Sequence, residues 1–77
     1  MTLQPLDVVV LNTDLIEHGL KCGDVGAVVN VQSKDAVDVE FVTASGRTKA
    51  VITLRPHDLR SVEDNDLLAV RPAAPNR

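Results

Sequence analysis

With 77 residues, the chain is long enough for one domain and too short for two. Its net charge of −3 and pI of about 5.1 argue against nucleic acid as a partner, because Lys and Arg contacts to phosphates supply most of that affinity. The single cysteine excludes an internal disulfide bond and fits a cytoplasmic protein, and no apolar run is long enough for a membrane span.

The first predicted strand covers residues 6–11 and is apolar on both faces, which indicates burial on both sides or a partner on one side. Turn-forming residues end it at 12–14. The following segment, residues 15–20, is too short for a stable helix. We therefore expect a long loop with one helical turn, in which Leu15, Ile16 or Leu20 folds back over the core.

A glycine-rich stretch then leads the chain into the second strand. Gly19, Gly23 and Gly26 are placed where the backbone turns sharply or another backbone comes close, and Asp24 is expected to accept backbone N–H groups within the turn. The valines that follow predict a strand over residues 26–32. Its odd-numbered residues are expected to face the core, namely Ala27, Val29 and Val31.

Residues 36–43 show the clearest strand alternation in the chain. Val37, Val39 and Phe41 are predicted to face the core, whereas Asp38 and Glu40 face solvent. A short hairpin turn at 44–47 follows, with a positive φ expected for its glycine at position 46, and leads into a fourth strand over residues 48–54.

Pro56 stops the fourth strand and suits a single 3₁₀ turn before a short fifth strand at residues 60–63. These elements predict an all-β, five-stranded Src-homology-3-like (SH3-like) barrel formed by one domain over residues 1–71. Within it, residues 64–71 are compatible with either a helical turn or an edge strand. Residues 72–77 are expected to be disordered.

Five segments of the chain together resemble an uncharacterised family of short bacterial proteins that is common in cyanobacteria. They are LDVVVL at 6–11, DLIEHGL at 14–20, GDVGAVV at 23–29, VEFV at 39–42 and VITL at 51–54. The resemblance covers residues 6–62 and supports the fold, but the family implies no agreed activity. The glycine-rich stretch from Lys21 to Val29 also resembles the KOW motif of ribosome and transcription proteins, which would imply an RNA- or ribosome-associated module.

Candidate chemical groups are sparse. His18, Cys22 and His57 are possible metal ligands, with Glu17 beside the first of them, but their spacing matches no zinc signature. Asp38 and Glu40 share a strand face, as solvated acidic residues commonly do. Five basic residues alternate with acids instead of forming a strip, namely Lys34, Arg47, Lys49, Arg55 and Arg60. We therefore expect no catalytic residue, no metal and no cofactor.

The long loop is the strongest functional feature of the sequence. Loops of this length in small domains are often functional, and this one carries more apolar surface than its solubility requires. We expect a non-enzymatic accessory, immunity, antitoxin-like or assembly protein that binds another protein, as a monomer or a small homo-oligomer. The predicted partner-binding residues are Leu15, Ile16, Glu17, His18 and Leu20.

Overall fold

The computed structural model describes residues 2–73 and contains five strands and two 3₁₀ turns. The strands are β1 (Val8–Leu11), β2 (Val25–Ser33), β3 (Ala36–Val42), β4 (Thr48–Leu54) and β5 (Leu59–Ser61). The 3₁₀ turns are Ile16–His18, between β1 and β2, and Pro56–Asp58, immediately before β5. The predicted all-β class, the five strands and the 3₁₀ turn before the last strand are confirmed.

All strand pairs are antiparallel, and the order across the sheet is β4-β3-β2-β1-β5. Because β4 and β5 are the two edges and do not pair with each other, the sheet is open and the predicted barrel does not close. One face of all five strands nevertheless supplies a single core. Its buried members on the strands are Val9, Leu11, Val28, Val37, Val39, Phe41, Leu54 and Leu59.

Strand β3 has the predicted faces, since Val37, Val39 and Phe41 are buried and Asp38 and Glu40 lie on the outer face. The bounds of β4 also agree with the prediction. The first strand is shorter than predicted, because a turn at Pro5 and Leu6 precedes it. The fifth strand begins one residue earlier than predicted and ends at Ser61.

The predicted core face of β2 is wrong in its first half. Gly26 and Val28 face the core, whereas Val29 is exposed. The pairing with β3 shifts between Val28 and Asn30, so Val29 is an extra residue in the ladder and the faces exchange beyond it. Val31 therefore packs against the core, as predicted.

Residues 62–73, which we call the strap, form neither the helical turn nor the edge strand considered from the sequence. The strap instead runs beside the outer face of β1, where Val10 is only 4% exposed although it points away from the main core. β1 is thus buried on both faces, by the core at Val9 and Leu11 and on the outer side at Val10, which is one of the two alternatives that its apolar sequence predicted. Of the tail predicted at residues 72–77, residues 74–77 lie outside the described residues.

Candidate protein-binding surface

Residues 14–21 form a closed loop on one end of the sheet. The backbone groups of Leu15 and Leu20 bond to each other in both directions, at 2.9 and 3.1 Å. Gly19 ends the enclosed 3₁₀ turn with a φ of 68°, a conformation that suits glycine. The Cys22 amide donates to the Asp14 carboxylate at 2.8 Å. These contacts hold the loop in one shape.

The three apolar side chains of the loop differ in their exposure to solvent. Leu20 is 5% exposed and belongs to the core, and the half-buried Leu15 packs against that core. Ile16 is 83% exposed at the tip of the loop. Of the residues predicted to bind a partner, the structure therefore leaves Ile16, the exposed Glu17 and the half-buried His18 on the surface, whereas Leu20 is mostly buried in the core.

The turn between the loop and β2 is built around Gly23 and Asp24. Gly23 has a φ of 96°, and its amide donates to the carbonyl of Leu11 at 2.9 Å. The Asp24 carboxylate accepts the amide of Lys21 at 2.9 Å, so that this side chain closes the turn. The later hairpin turn likewise has its glycine, Gly46, at a φ of 83°.

Asp24 also pairs with Arg71 of the strap. The Arg71 guanidinium donates to both carboxylate oxygens, with Nε 2.9 Å from Oδ1, and to the carbonyl of Gly19 at 3.1 Å. Burial alone would raise the pKa of Asp24, but the hydrogen bonds from Arg71 and Lys21 hold that pKa below its usual value. Asp24 therefore stays ionised at neutral pH.

Gly26 lies where two strands approach too closely for a side chain. A Cβ at this position would lie 2.7 Å from Cγ1 of Val39, 2.8 Å from Cε1 of Phe41 and 3.0 Å from the carbonyl oxygen of Glu40. The glycine therefore permits β2 to pack against the core side chains of β3.

The outer face of the sheet mixes exposed valines with acids. Val8, Ala27, Glu40 and Val51 are successive cross-strand neighbours on β1 to β4. The outer valines at 8 and 51, together with Val42 at the end of β3, are all more than half exposed. This face is thus more apolar than a solvated strand surface requires.

Asp38 organises the polar part of the same face. Its carboxylate accepts hydrogen bonds from Thr53 at 2.6 Å, Gln32 at 2.8 Å and Asn30 at 3.2 Å. The bond from Thr53, with those from Gln32 and Asn30, lowers the pKa of Asp38. The side chain thus joins β2, β3 and β4, and a carboxylate stabilised in this way is a poor base.

A groove with a volume of about 310 Å³ lies where the loop, the sheet and the strap meet. Leu20 comes from the loop, Val25 and Val42 from the sheet, and Ala69 and Val70 from the strap. More of its lining is apolar than polar. The groove connects the loop with the outer face of β2 and β3, so these two surfaces are continuous.

Within residues 2–73, no three side chains of His, Cys, Asp or Glu are grouped so that they could hold a metal ion. The candidate ligands His18, Cys22 and His57 are not brought together, and the Cys22 thiol is free and exposed. The same part of the chain contains no helix that is long and apolar enough to cross a membrane.

Family comparison accounts for all five strands and for none of the strap. Residues 6–61 match the model of a domain of unknown function, DUF4926. The chain belongs to the DUF4926 family. No curated protein and no solved structure matches it significantly. The predicted membership of an uncharacterised family is confirmed, and the DUF4926 match contains the loop and Asp24 but ends before the strap.

Sequence reasoning missed the two residues that attach the strap to the domain. Asp66 pairs with Arg60, and Arg71 pairs with Asp24, which lies 47 residues away along the chain. Both pairs join charged residues that are common on any surface. The only sequence signal was a second apolar face on β1, which requires a cover from elsewhere in the chain.

Proposed function

We propose that this domain is a non-enzymatic protein-binding module, and that its partner contacts the 14–21 loop and the outer face of β2, β3 and β4. The observation that carries the proposal is the position of Ile16. This large apolar side chain is almost fully exposed, so it does not gain the free energy that its removal from water would give. Here it stands at the tip of a loop whose backbone is fixed by hydrogen bonds.

A fixed loop makes Ile16 a preorganised anchor. Binding then costs little conformational entropy, because the side chain is already presented and the backbone need not be ordered. Few residues carry most of the energy in protein interfaces, and these residues lie in well-packed pockets from which water is excluded. Val42 and Val51 add exposed apolar area on the adjoining strands.

Charge supports a protein partner over RNA. Asp14 and Glu17 are exposed on the loop and would repel phosphates. Phe41 is the only aromatic residue in the chain and is 3% exposed, so it cannot stack on a base as single-strand binders require. The KOW-like alternative therefore has no supporting contact in residues 2–73.

The test compares three tagged forms of the full chain, expressed in its native cell: wild type, Ile16→Asp and Val8→Asp. Val8 serves as the control because it is an exposed apolar residue on β1, which borders the proposed surface on β2 but lies outside the 14–21 loop. Co-purifying proteins are identified by mass spectrometry after nuclease treatment, and the binding is repeated with the purified partner.

We expect one partner to bind the wild type and Val8→Asp, and to bind Ile16→Asp at least tenfold more weakly. Circular dichroism must show that Ile16→Asp remains folded, as its exposure predicts. Equal binding by all three forms would contradict the proposed surface. Association that nuclease removes and that salt weakens would favour the RNA alternative.

A further inference from the structure

We infer that Asp24 and the carbonyl of Gly19 form a receptor for an arginine in an extended segment of a partner protein, and that the strap occupies this receptor in cis through Arg71. This inference rests on the proposed function and names the chemistry of the partner. The partner segment carries an arginine close to a large apolar residue.

The receptor is built by the DUF4926 domain and does not depend on the strap for its shape. The Lys21 amide fixes the Asp24 carboxylate, and the left-handed conformation of Gly19 belongs to the closed loop. Both residues lie within the matched region 6–61. A carboxylate beside a backbone carbonyl suits the fork of donors on a guanidinium better than it suits an ammonium group.

The part of the strap that follows Val62 is attached by charge and hardly at all by its own apolar residues. Leu67 is 91% exposed and Val70 is 96% exposed, so neither contributes much buried area. The attachment consists of the Arg60–Asp66 pair at one end and the Arg71 contacts at the other. Two partly exposed ion pairs hold this part of the strap, and because it buries little apolar area an incoming segment can displace it.

The groove beside Arg71 indicates what such a segment gains over the strap. Leu20, Val25 and Val42 line it on the domain side, while the strap offers small or outward-pointing side chains at Ala69 and Val70. The volume of about 310 Å³ leaves room for a larger side chain. An arginine-containing segment with a leucine or an aromatic residue nearby would fill both the receptor and the groove.

Because the strap is tethered, its effective concentration at the receptor is in the millimolar range. A free peptide must compete with it in the wild type and would meet an open receptor once Arg71 is removed. We therefore expect a peptide of residues 62–73 to bind full-length Arg71→Ala at least tenfold more tightly than it binds the full-length wild type.

The experiment is an NMR titration of the ¹⁵N-labelled full chain with this peptide up to millimolar concentration, following the amides of Lys21, Gly23 and Asp24. A peptide with alanine in place of its arginine is the matched control. A second protein, Arg71→Ala with Asp24→Asn, keeps an oxygen that can accept the Lys21 amide but lacks the charge.

Shifts in Arg71→Ala that require both the peptide arginine and Asp24 support the receptor. Absence of shifts at those three amides, or equal shifts with the alanine peptide, overturns it. Analytical ultracentrifugation tests whether the strap binds its own chain. If the wild type sediments as a dimer and Arg71→Ala as a monomer, straps are exchanged between copies and occupation in cis is overturned. Loss of the co-purifying partner in Ile16→Asp is measured separately, so failure of this receptor and failure of the proposed function are distinguishable.

Discussion

Arg71 donates hydrogen bonds to both oxygens of Asp24 across 47 residues of sequence, and this pair fastens the strap to the turn that begins β2. The turn itself is closed by the same carboxylate through Lys21. One acid thus links the end of the described chain to the entry of the central strand. Its protonation affects both contacts, which gives the pair a pH dependence that can be measured.

Arg71→Ala should lower the free energy of unfolding only slightly, as expected for an ion pair that solvent reaches. The pKa of Asp24 is depressed in the folded protein, so its contribution is fully present above the unfolded value near 3.8 and disappears as pH falls through the folded value. The stability difference between wild type and Arg71→Ala should therefore shrink as pH falls below about 4.

Urea unfolding at several pH values measures this difference, and NMR titration of the Asp24 carboxyl measures its pKa directly. Arg71→Lys is the control, because it keeps the charge but not the fork of donors, and it should recover only part of the pKa depression. A pKa of Asp24 that is the same in wild type and Arg71→Ala would contradict the pairing.

Leu6 has a φ of 78°, the only positive value outside glycine among the described residues. It follows Pro5 in a turn closed by the Asp7 amide and the Gln4 carbonyl, at the position where glycine is normally required. Because Leu6 is 85% exposed, burial of its side chain contributes little free energy to offset the backbone strain. Leu6→Gly should raise the free energy of unfolding by about 0.5–1 kcal/mol. This is the net gain that remains when the entropy cost of a more flexible unfolded chain is subtracted from the strain that glycine relieves.

Leu6→Ala is the matched control for this prediction, since it removes the same side chain but retains a Cβ. It should leave the thermal midpoint close to that of the wild type. If alanine and glycine stabilise the protein equally, the exposed side chain and not the backbone conformation is the source of the effect.

Thr53→Val should raise the pKa of Asp38, because the hydroxyl of Thr53 is the strongest of the three donors that lower it. Valine has nearly the same shape as threonine and lacks only the hydrogen bond. Asn30→Ala should raise the pKa less, since its amide lies 3.2 Å from the carboxylate compared with 2.6 Å for Thr53. NMR titration of Asp38 in the two variants gives the order, and the reverse order would contradict the hydrogen-bond network.

The parts of the fold that depend on local alternation were predictable from the sequence. Val37, Val39 and Phe41 alternate with acids, so both the existence and the core face of β3 follow from the pattern. The face of β2 was not predictable, because the extra residue at Val29 is visible only in the pairing with β3. Closure of a barrel likewise depends on whether the two edge strands meet, which no local pattern determines.

The surface was less predictable than the fold, for a related reason. Leu15, Ile16 and Leu20 are equally apolar, and only the backbone bridge between Leu15 and Leu20 decides which side chain is left outside. The attachment of the strap depends on Arg71, whose partner is 47 residues away. A charged residue carries no sequence signal for a contact at that separation.

Gly26→Val should destabilise the domain by about 1–3 kcal/mol, the cost usual for adding atoms to a filled core. The first added carbon already lies within 3.0 Å of Val39, Phe41 and the Glu40 backbone, and two of these contacts are with side chains that are themselves buried. The strand can relieve them only by moving away from β3.

Thermal melting of Gly26→Ala and Gly26→Val, compared with Ala27→Val on the outer face, measures the effect. Ala27→Val should leave the midpoint nearly unchanged, Gly26→Ala should lower it, and Gly26→Val should lower it further. A midpoint for Gly26→Val equal to that of the wild type would mean that β2 does not pack this closely on β3.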